Sequence, residues 1–236
     1  MIQFYAPDIE ITLTLPESDS QHCVRVLRMQ QGDEIEVIDG KGHRFTCRLD
    51  NAHSKHATVE IVAKQDIPLC WPQHITIAVA PTKHLDRMEW LVEKLTEIGV
   101  NRFVPLLCQR SERKEIKPER LEKIAVSAMK QSLKTVVPEI MPMTPIAQVI
   151  SDYADAQKFM AYCDKSVPRY MLAKMYKPVT NAVIMIGPEG DFAPEEIKSA
   201  LESGWCPVSL GNNRLRTETA ALVACDTFHI LDQYNE

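Results

Sequence analysis

AVIMIGPEGDFAPEEI, Ala182 to Ile197, is an apolar run that breaks at a glycine and then opens a helix. Five consecutive apolar residues, Ala182 to Ile186, without polar alternation fit a strand buried on both faces. Pro194 stands at the first helical position, and Glu195 and Glu196 fall in the first turn, where carboxylates suit the positive end of the helix dipole. The pattern then recurs. VSLGNNRLRTETAAL, Val208 to Leu222, carries a short strand over Pro207 to Leu210, a break at Gly211, and a helix from about Thr217, its candidate N-cap, to about Tyr234. Two strand–loop–helix units in succession predict an α/β fold with a mostly parallel sheet covered on both faces. In such sheets ligands bind at the carboxyl ends of strands, where both loops fall.

Working outward, the same texture runs back to Ile75. Ile75 to Ala80 reads as a buried strand. Asp86 to Ile98 places Met88, Leu91, Val92, Leu95 and Ile98 at helical spacing before Gly99. A strand over Arg102 to Cys108 follows, then a helix over Pro118 to Ser132 with Leu121, Ile124, Ala125, Ala128 and Met129 on one face, and a strand over Lys158 to Cys163. Before Asp66 the pattern is different. Glu10 to Leu15, Glu34 to Ile38, Arg44 to Leu49 and Thr58 to Val62 read as short strands, with a turn at Asp39-Gly40-Lys41-Gly42. Gln21 to Met29 reads as a helix ending at Gly32. The segment Asp66 to Pro72, with two prolines, reads as a linker. The division expected is a β-rich first domain over 1–70 and an α/β second domain over 71–236.

The chain has 236 residues, 45% hydrophobic and 25% charged, which suits a globular protein of one or two domains. No apolar stretch approaches the roughly 20 residues that cross a bilayer, and no signal peptide is legible at the N-terminus. Seven scattered cysteines without a CxxC pair argue against a disulfide framework or a zinc site and predict reduced thiols in a cytoplasm. His53 and His56 lie three apart without supporting ligands and read as a solvated loop. No metal is expected. A net charge of −5 argues against general nucleic-acid binding, but Lys83 to Lys134 carries 12 basic and 8 acidic groups. That locally basic stretch suits RNA, and equally the solvated faces of two charged helices.

The loops carry no GxGxxG, no GxxxxGK[ST] and no GxSxG, so the usual dinucleotide, P-loop and hydrolase readings are excluded. Gly187 and Gly190 let backbone approach a ligand. Pro188 stiffens the turn, and Glu189 either holds it through backbone donors or touches the ligand. Gly211, Asn212 and Asn213 tolerate turn geometry. Backbone amides around a flat group would suit an adenine edge, but spacing alone does not name the ligand.

At these residues the chain resembles the SPOUT-class 16S ribosomal RNA (uracil-N3)-methyltransferase family. IGPEGDFAPEEI and LGNNRLRTETAAL are similar to its two signature stretches. RVLRMQQGDEIEVIDG, Arg25 to Gly40, resembles its PUA-like RNA-binding barrel. DRMEWLVEKLTEIGV, Asp86 to Val100, resembles its first methyltransferase helix, and KQSLKTVVPEI, Lys130 to Ile140, its middle segment. The resemblance spans nearly the whole chain. It implies a C-terminal SPOUT domain with a deep trefoil knot, S-adenosylmethionine as cofactor, 16S rRNA within the small ribosomal subunit as partner, and a homodimer. It places the cofactor against Ile186, Gly187, Pro188, Glu189, Gly190, Leu210, Gly211, Leu215, Thr217, Glu218, Thr219 and Ala220, and RNA against Arg25, Arg28, Lys83 and Arg87. Three departures stand out: Asp191 where many relatives have a further glycine, Lys130 where a glutamate is usual, and a turn over Thr82 to Arg87 one residue longer than usual.

The implied chemistry has to make N3 of uridine nucleophilic, and N3 carries a proton. A fixed cation near a helix N-terminus would stabilise the anion left by its loss. Arg216 fits that role or holds a phosphate, and its alternative is an ion pair with Glu218 or Glu189. Glu218 reads as a base or as an ordinary first-turn cap. Arg25 and Arg28, three apart on one expected helix face, read as phosphate contacts or as a solvated basic face. Two other classes stay open: a methyltransferase acting on another RNA such as tRNA, and a catalytically inactive RNA-binding relative.

Overall fold

The computed structural model describes residues 3–163 and 168–234. The chain divides into two compact units, Met1–Cys70 with Val126–Val137, and Trp71–Ala125 with Pro138–Glu236.

In the first unit, β1 (Gln3–Tyr5) is followed by two short helices, α1 (Ile9–Thr12) and α2 (Glu17–Gln21), a π-helical turn over His22–Val26, and the strands β2 (Glu34–Ile38), β3 (His43–Asn51) and β4 (Thr58–Asp66). They form a four-stranded sheet in the order β1-β2-β3-β4, with β1 parallel to β2 and the rest antiparallel. Phe4, Ile9, Leu15, Val37, Phe45 and Leu49 fill its core. The strand expected over Glu10 to Leu15 is a helix instead. Ile11 is 85% exposed and Leu13 sits in the left-handed region at φ 48°, so the period-two apolar pattern does not line one buried face. Only Thr14 bridges to a strand, at Thr58. The helix expected over Gln21 to Met29 stops at Val26, and Arg28 lies beyond it at φ 57°. Arg25 and Arg28 therefore do not share a helix face, because the spacing rule needs regular helix through both positions. Both are exposed, and Arg25 Nη2 donates to Ser54 Oγ at 3.2 Å. His53 and His56 stack with ring centroids 3.8 Å apart on the surface.

Lys130, the departure in the middle segment, has a local reason. Its Nζ lies 2.5 Å from Oδ1 of Asp19, whose side chain is only 10% exposed and also accepts the Tyr5 N–H. A glutamate there would set two carboxylates against each other in a desolvated spot.

The second unit holds β5 (Ile75–Val79), α3 (Leu85–Ile98), β6 (Arg102–Leu107), the start of α4 (Pro118–Gln131), β7 (Glu139–Ile140), β8 (Thr144–Pro145), α5 (Ile146–Asp152), β9 (Gln157–Ala161), β10 (Tyr170–Met171), α6 (Leu172–Met175), β11 (Ala182–Ile186), α7 (Pro194–Glu202), β12 (Cys206–Ser209) and α8 (Thr217–Tyr234). The strands make one parallel sheet in the order β10-β12-β9-β11-β5-β6-β7, with β8 also on β6. Every residue of β5 and β11 is buried, as continuous apolar runs demand. Ala78, Val183 and Met185 face a core shared with Val149 of α5, Ile197 of α7 and Trp205. On the other side, α8 packs on β5, β11 and α3.

A buried carboxylate anchors α8. Asp232, 5% exposed, accepts the Tyr176 hydroxyl at 2.9 Å and the Val179 N–H at 2.7 Å, and Gln73 donates to it as well. Burial first, and then this carboxylate, push the Tyr176 hydroxyl's pKa well up, which keeps it a donor. With four donors converging, the helix is fixed at one end while its other end reaches the site.

Candidate active site at the strand ends

β12, β9 and β11 are neighbours, and their carboxyl ends feed one cavity of about 660 Å³. Its walls include Ala161 at the end of β9, Ile186 at the end of β11 and Ser209 at the end of β12. This size falls within the roughly 300–1,000 Å³ typical of small-molecule sites. Ile186, Gly187, Pro188, Glu189 and Gly190 of the first loop line it, as do Leu210, Gly211, Leu215, Arg216, Thr217, Glu218 and Ala220 of the second. Thr219 lies outside the lining. Arg87 lines the cavity too, whereas Lys83 lies in a separate, open depression with Glu112 and Arg113.

The first loop is tightly fixed. At Gly187 an added Cβ would sit 3.0 Å from two ring atoms of Phe192, which is 2% exposed, so the position has no room for a side chain. Arg110, beyond β6, donates from Nη1 to the carbonyls of Gly190 and Phe192 at 3.0 and 3.2 Å. Glu189 holds its turn by accepting the Lys83 N–H at 3.3 Å. Glu196 closes the entry to α7 by accepting the Ala193 N–H at 2.8 Å with one oxygen and the Gln109 N–H at 2.7 Å with the other. Asp191, the departure from glycine, sits at φ 60°. Aspartate is one of the few residues that visit this left-handed region readily. Its carboxylate accepts the Cys163 N–H at 2.9 Å and so ties the loop to the end of β9. The longer turn after β5 is held as well: Thr82 Oγ1 donates to the His84 carbonyl, and Arg113 donates to the carbonyls of Thr82 and Lys83.

In the second loop, Gly211 has φ 118°, a conformation that side chains rarely adopt, and open space around it. Thr217 is not the N-cap. It is the first residue of α8, and the Ala220 N–H donates to the Arg216 carbonyl at 2.8 Å, so Arg216 takes the capping position. The Thr217 hydroxyl instead donates to the Gly187 carbonyl at 3.2 Å in a buried bond that joins the two loops.

The charges sort differently from either alternative for Arg216. Glu218 pairs with Arg87 at 3.6 Å, and Glu189 is taken by backbone. Among the described residues Arg216 makes no hydrogen bond or ion pair, and its side chain is exposed at the cavity wall just before α8. The Glu218 side chain is 9% exposed, and its Oε2 has no hydrogen-bond partner. Arg169 also lines the cavity, where it donates to the Tyr162 carbonyl and lies over the Tyr162 ring. Neither Arg110 nor Arg169 carries a sequence signal, because each acts on residues brought near only by the fold. Among the described residues no group of three or more His, Cys, Asp or Glu could hold a metal, no helix is long and apolar enough to cross a membrane, and all seven cysteines are unpaired.

Residues 70–229 match the model of an RNA methyltransferase domain, and residues 15–62 that of an RNA methyltransferase PUA domain. A fold with a strand-end cavity of this kind, preceded by a PUA-like domain, defines the class as RNA methyltransferase. The ribosomal RNA small subunit methyltransferase E of Synechocystis sp. is 33% identical over 92% of this chain and 72% of its own length. The crystal structure of a probable rRNA-methyltransferase from Porphyromonas gingivalis superposes with a TM-score of 0.96 at 47% identity over 100% of both chains. That of a ribosomal RNA small subunit methyltransferase E from Neisseria gonorrhoeae bound to S-adenosyl methionine has a TM-score of 0.86 at 29% identity over 98% of each chain. The chain belongs to the family of the ribosomal RNA small subunit methyltransferases E.

Proposed function

We propose that this protein transfers the methyl group of S-adenosylmethionine to N3 of a uridine in 16S rRNA of the small ribosomal subunit. The observation that carries the reading is that two glycine-broken loops, bonded to each other through Thr217 and Gly187, close one strand-end cavity with an unpaired arginine in its wall. The residues fit the cofactor. Gly187 admits close backbone approach, Gly211 holds a turn that other residues resist, and the lining from Ile186 to Gly190 and from Leu210 to Ala220 offers amides and small side chains to a flat base.

The cofactor supplies a methyl group already activated on a sulfonium, so the protein's task is positioning and charge control. Arg216, beside the N-terminus of α8, stabilises the negative charge that grows on the uracil carbonyls as N3 loses its proton. N3 is hidden in any Watson–Crick pair, so the target base is splayed out of its helix before it enters the cavity. Exposed Arg25 and Arg28 of the PUA-like unit and Lys83 contact RNA phosphates, while Arg87 serves the cavity wall rather than the RNA surface. The chain threads the trefoil knot its family resemblance implies and works as a cytoplasmic homodimer. Exposed Met175, Val179, Ile230 and Tyr234 around α6 and α8 supply apolar surface for the partner copy.

The reading is tested by nucleoside mass spectrometry of small-subunit RNA from cells lacking the gene. Loss of N3-methyluridine, restored by the gene in trans, is expected. An unchanged N3-methyluridine level with a methyl lost from tRNA would move the substrate to another RNA.

A further inference from the structure

The proton on N3 needs an acceptor, and the structure offers a specific one. We propose that Glu218 is a catalytic residue whose Oε2 accepts the N3–H hydrogen bond of the target uracil and then its proton. This inference rests on the uridine-N3 reading above.

Three observations carry it. First, Glu218 lines the cavity in the first turn of α8, two residues after Arg216. Second, its side chain is 9% exposed, yet Oε2 has no donor, and a buried carboxylate oxygen left without a donor is costly. Third, Glu218 does not serve as a cap for its own helix. Its other oxygen lies 3.6 Å from the Arg87 guanidinium, which fixes the carboxylate from α3. The strands packed beneath α8, β5 and β11, carry no charged residue, and Lys174, the only charged residue of α6, is exposed. Glu189, Asp191, Arg169, Arg214 and Arg216 are the other charged groups of the cavity lining, and Glu189 and Asp191 are engaged with backbone N–H groups. Glu218 is thus the buried, oriented acceptor of the cavity, with a cation on one side and an open valence on the other.

The step balances. The N3 proton moves to Oε2, the N–H electron pair stays on N3 and becomes the new N–C bond, and the pair of the broken S–C bond goes to the sulfur. The carboxylate's negative charge and the sulfonium's positive charge disappear together, and the acid later returns its proton to water. Arg216 and Glu218 then divide the work, one stabilising charge on the uracil oxygens and the other removing the proton.

The test compares wild type with Glu218→Gln on a short 16S rRNA fragment containing uridine or 5-fluorouridine at the target. Fluorine at C5 makes N3–H more acidic, so a missing base matters less. Cofactor affinity is read by calorimetry and RNA affinity by fluorescence anisotropy. E218Q is expected to lose at least 100-fold in turnover at pH 7 while both affinities stay within threefold. Its rate is expected to rise about tenfold per pH unit, and 5-fluorouridine is expected to recover most of the loss. Loss of cofactor affinity would assign the carboxylate to the cofactor and overturn the proposal. Unchanged turnover, or a deficit independent of pH and of fluorine, would overturn it too. Should E218Q not fold, Glu218→Asp meets the same test, with the same pH and fluorine pattern expected at smaller amplitude and a uniform deficit contradicting it. If wild type methylates an atom other than N3, it is the uridine-N3 reading that fails, and the proposal with it.

Discussion

Gly187→Val abolishes cofactor binding in calorimetry while the protein stays folded by circular dichroism. The first atom of the new side chain would meet two ring carbons of Phe192 at 3.0 Å, and the valine methyls extend further. Phe192 cannot yield outward, because it is buried in the core with Met185, Ile197 and Trp205 and its carbonyl is held by Arg110. The backbone at 187 must therefore shift, and that breaks the bond from Thr217 that closes the two loops on each other. A fall in affinity of at least 100-fold is expected, equivalent to about 2.7 kcal/mol of binding free energy. Affinity within threefold of wild type would place the cofactor elsewhere.

Arg216→Ala separates binding from chemistry. The side chain is exposed, unpaired among the described residues and next to the start of α8, so its removal leaves the fold and the loop backbones intact. Cofactor affinity is expected to hold, and turnover on RNA to fall by roughly 10²–10³-fold, the usual effect of deleting one group that stabilises developing negative charge. Arg216→Lys keeps the charge without the planar fork and should recover part of the loss. Normal turnover in Arg216→Ala would remove the arginine from the mechanism.

Much of this architecture is legible in the sequence, and the physical reasons are plain. Strands such as Ile75–Val79 and Ala182–Ile186 are unbroken apolar runs, and α3 spaces Met88, Leu91, Val92 and Leu95 along one stripe, so period alone assigns them. Glycine marks the two loops because it supplies room at 187 and a positive φ at 211. The failures have equally local causes. Ile9, Ile11, Leu13 and Leu15 alternate like a strand, but a helix of one turn and a left-handed Leu13 bury only Ile9 and Leu15. The π-helical turn at His22–Val26 and the left-handed Arg28 break a spacing argument that assumes regular helix. Thr217 looks like a cap but spends its hydroxyl on Gly187, thirty residues away. The cavity's fixings lie at still longer range: Arg110 acts on Gly190, Arg87 on Glu218 and Asp191 on Cys163. No periodicity encodes such pairs. Asp191 and Lys130, which depart from the family pattern, prove locally consistent once a left-handed φ and a carboxylate partner are seen.

The central claim, methyl transfer from S-adenosylmethionine to uridine N3 in 16S rRNA, is tested most directly with purified components. The protein is incubated with S-adenosylmethionine carrying an isotopically labelled methyl and with small ribosomal subunits from the strain lacking the gene, and the RNA is then digested to nucleosides for mass spectrometry. The account predicts one labelled N3-methyluridine per subunit from the 16S rRNA. Label on another base, on another position of uridine or on no RNA at all would contradict it.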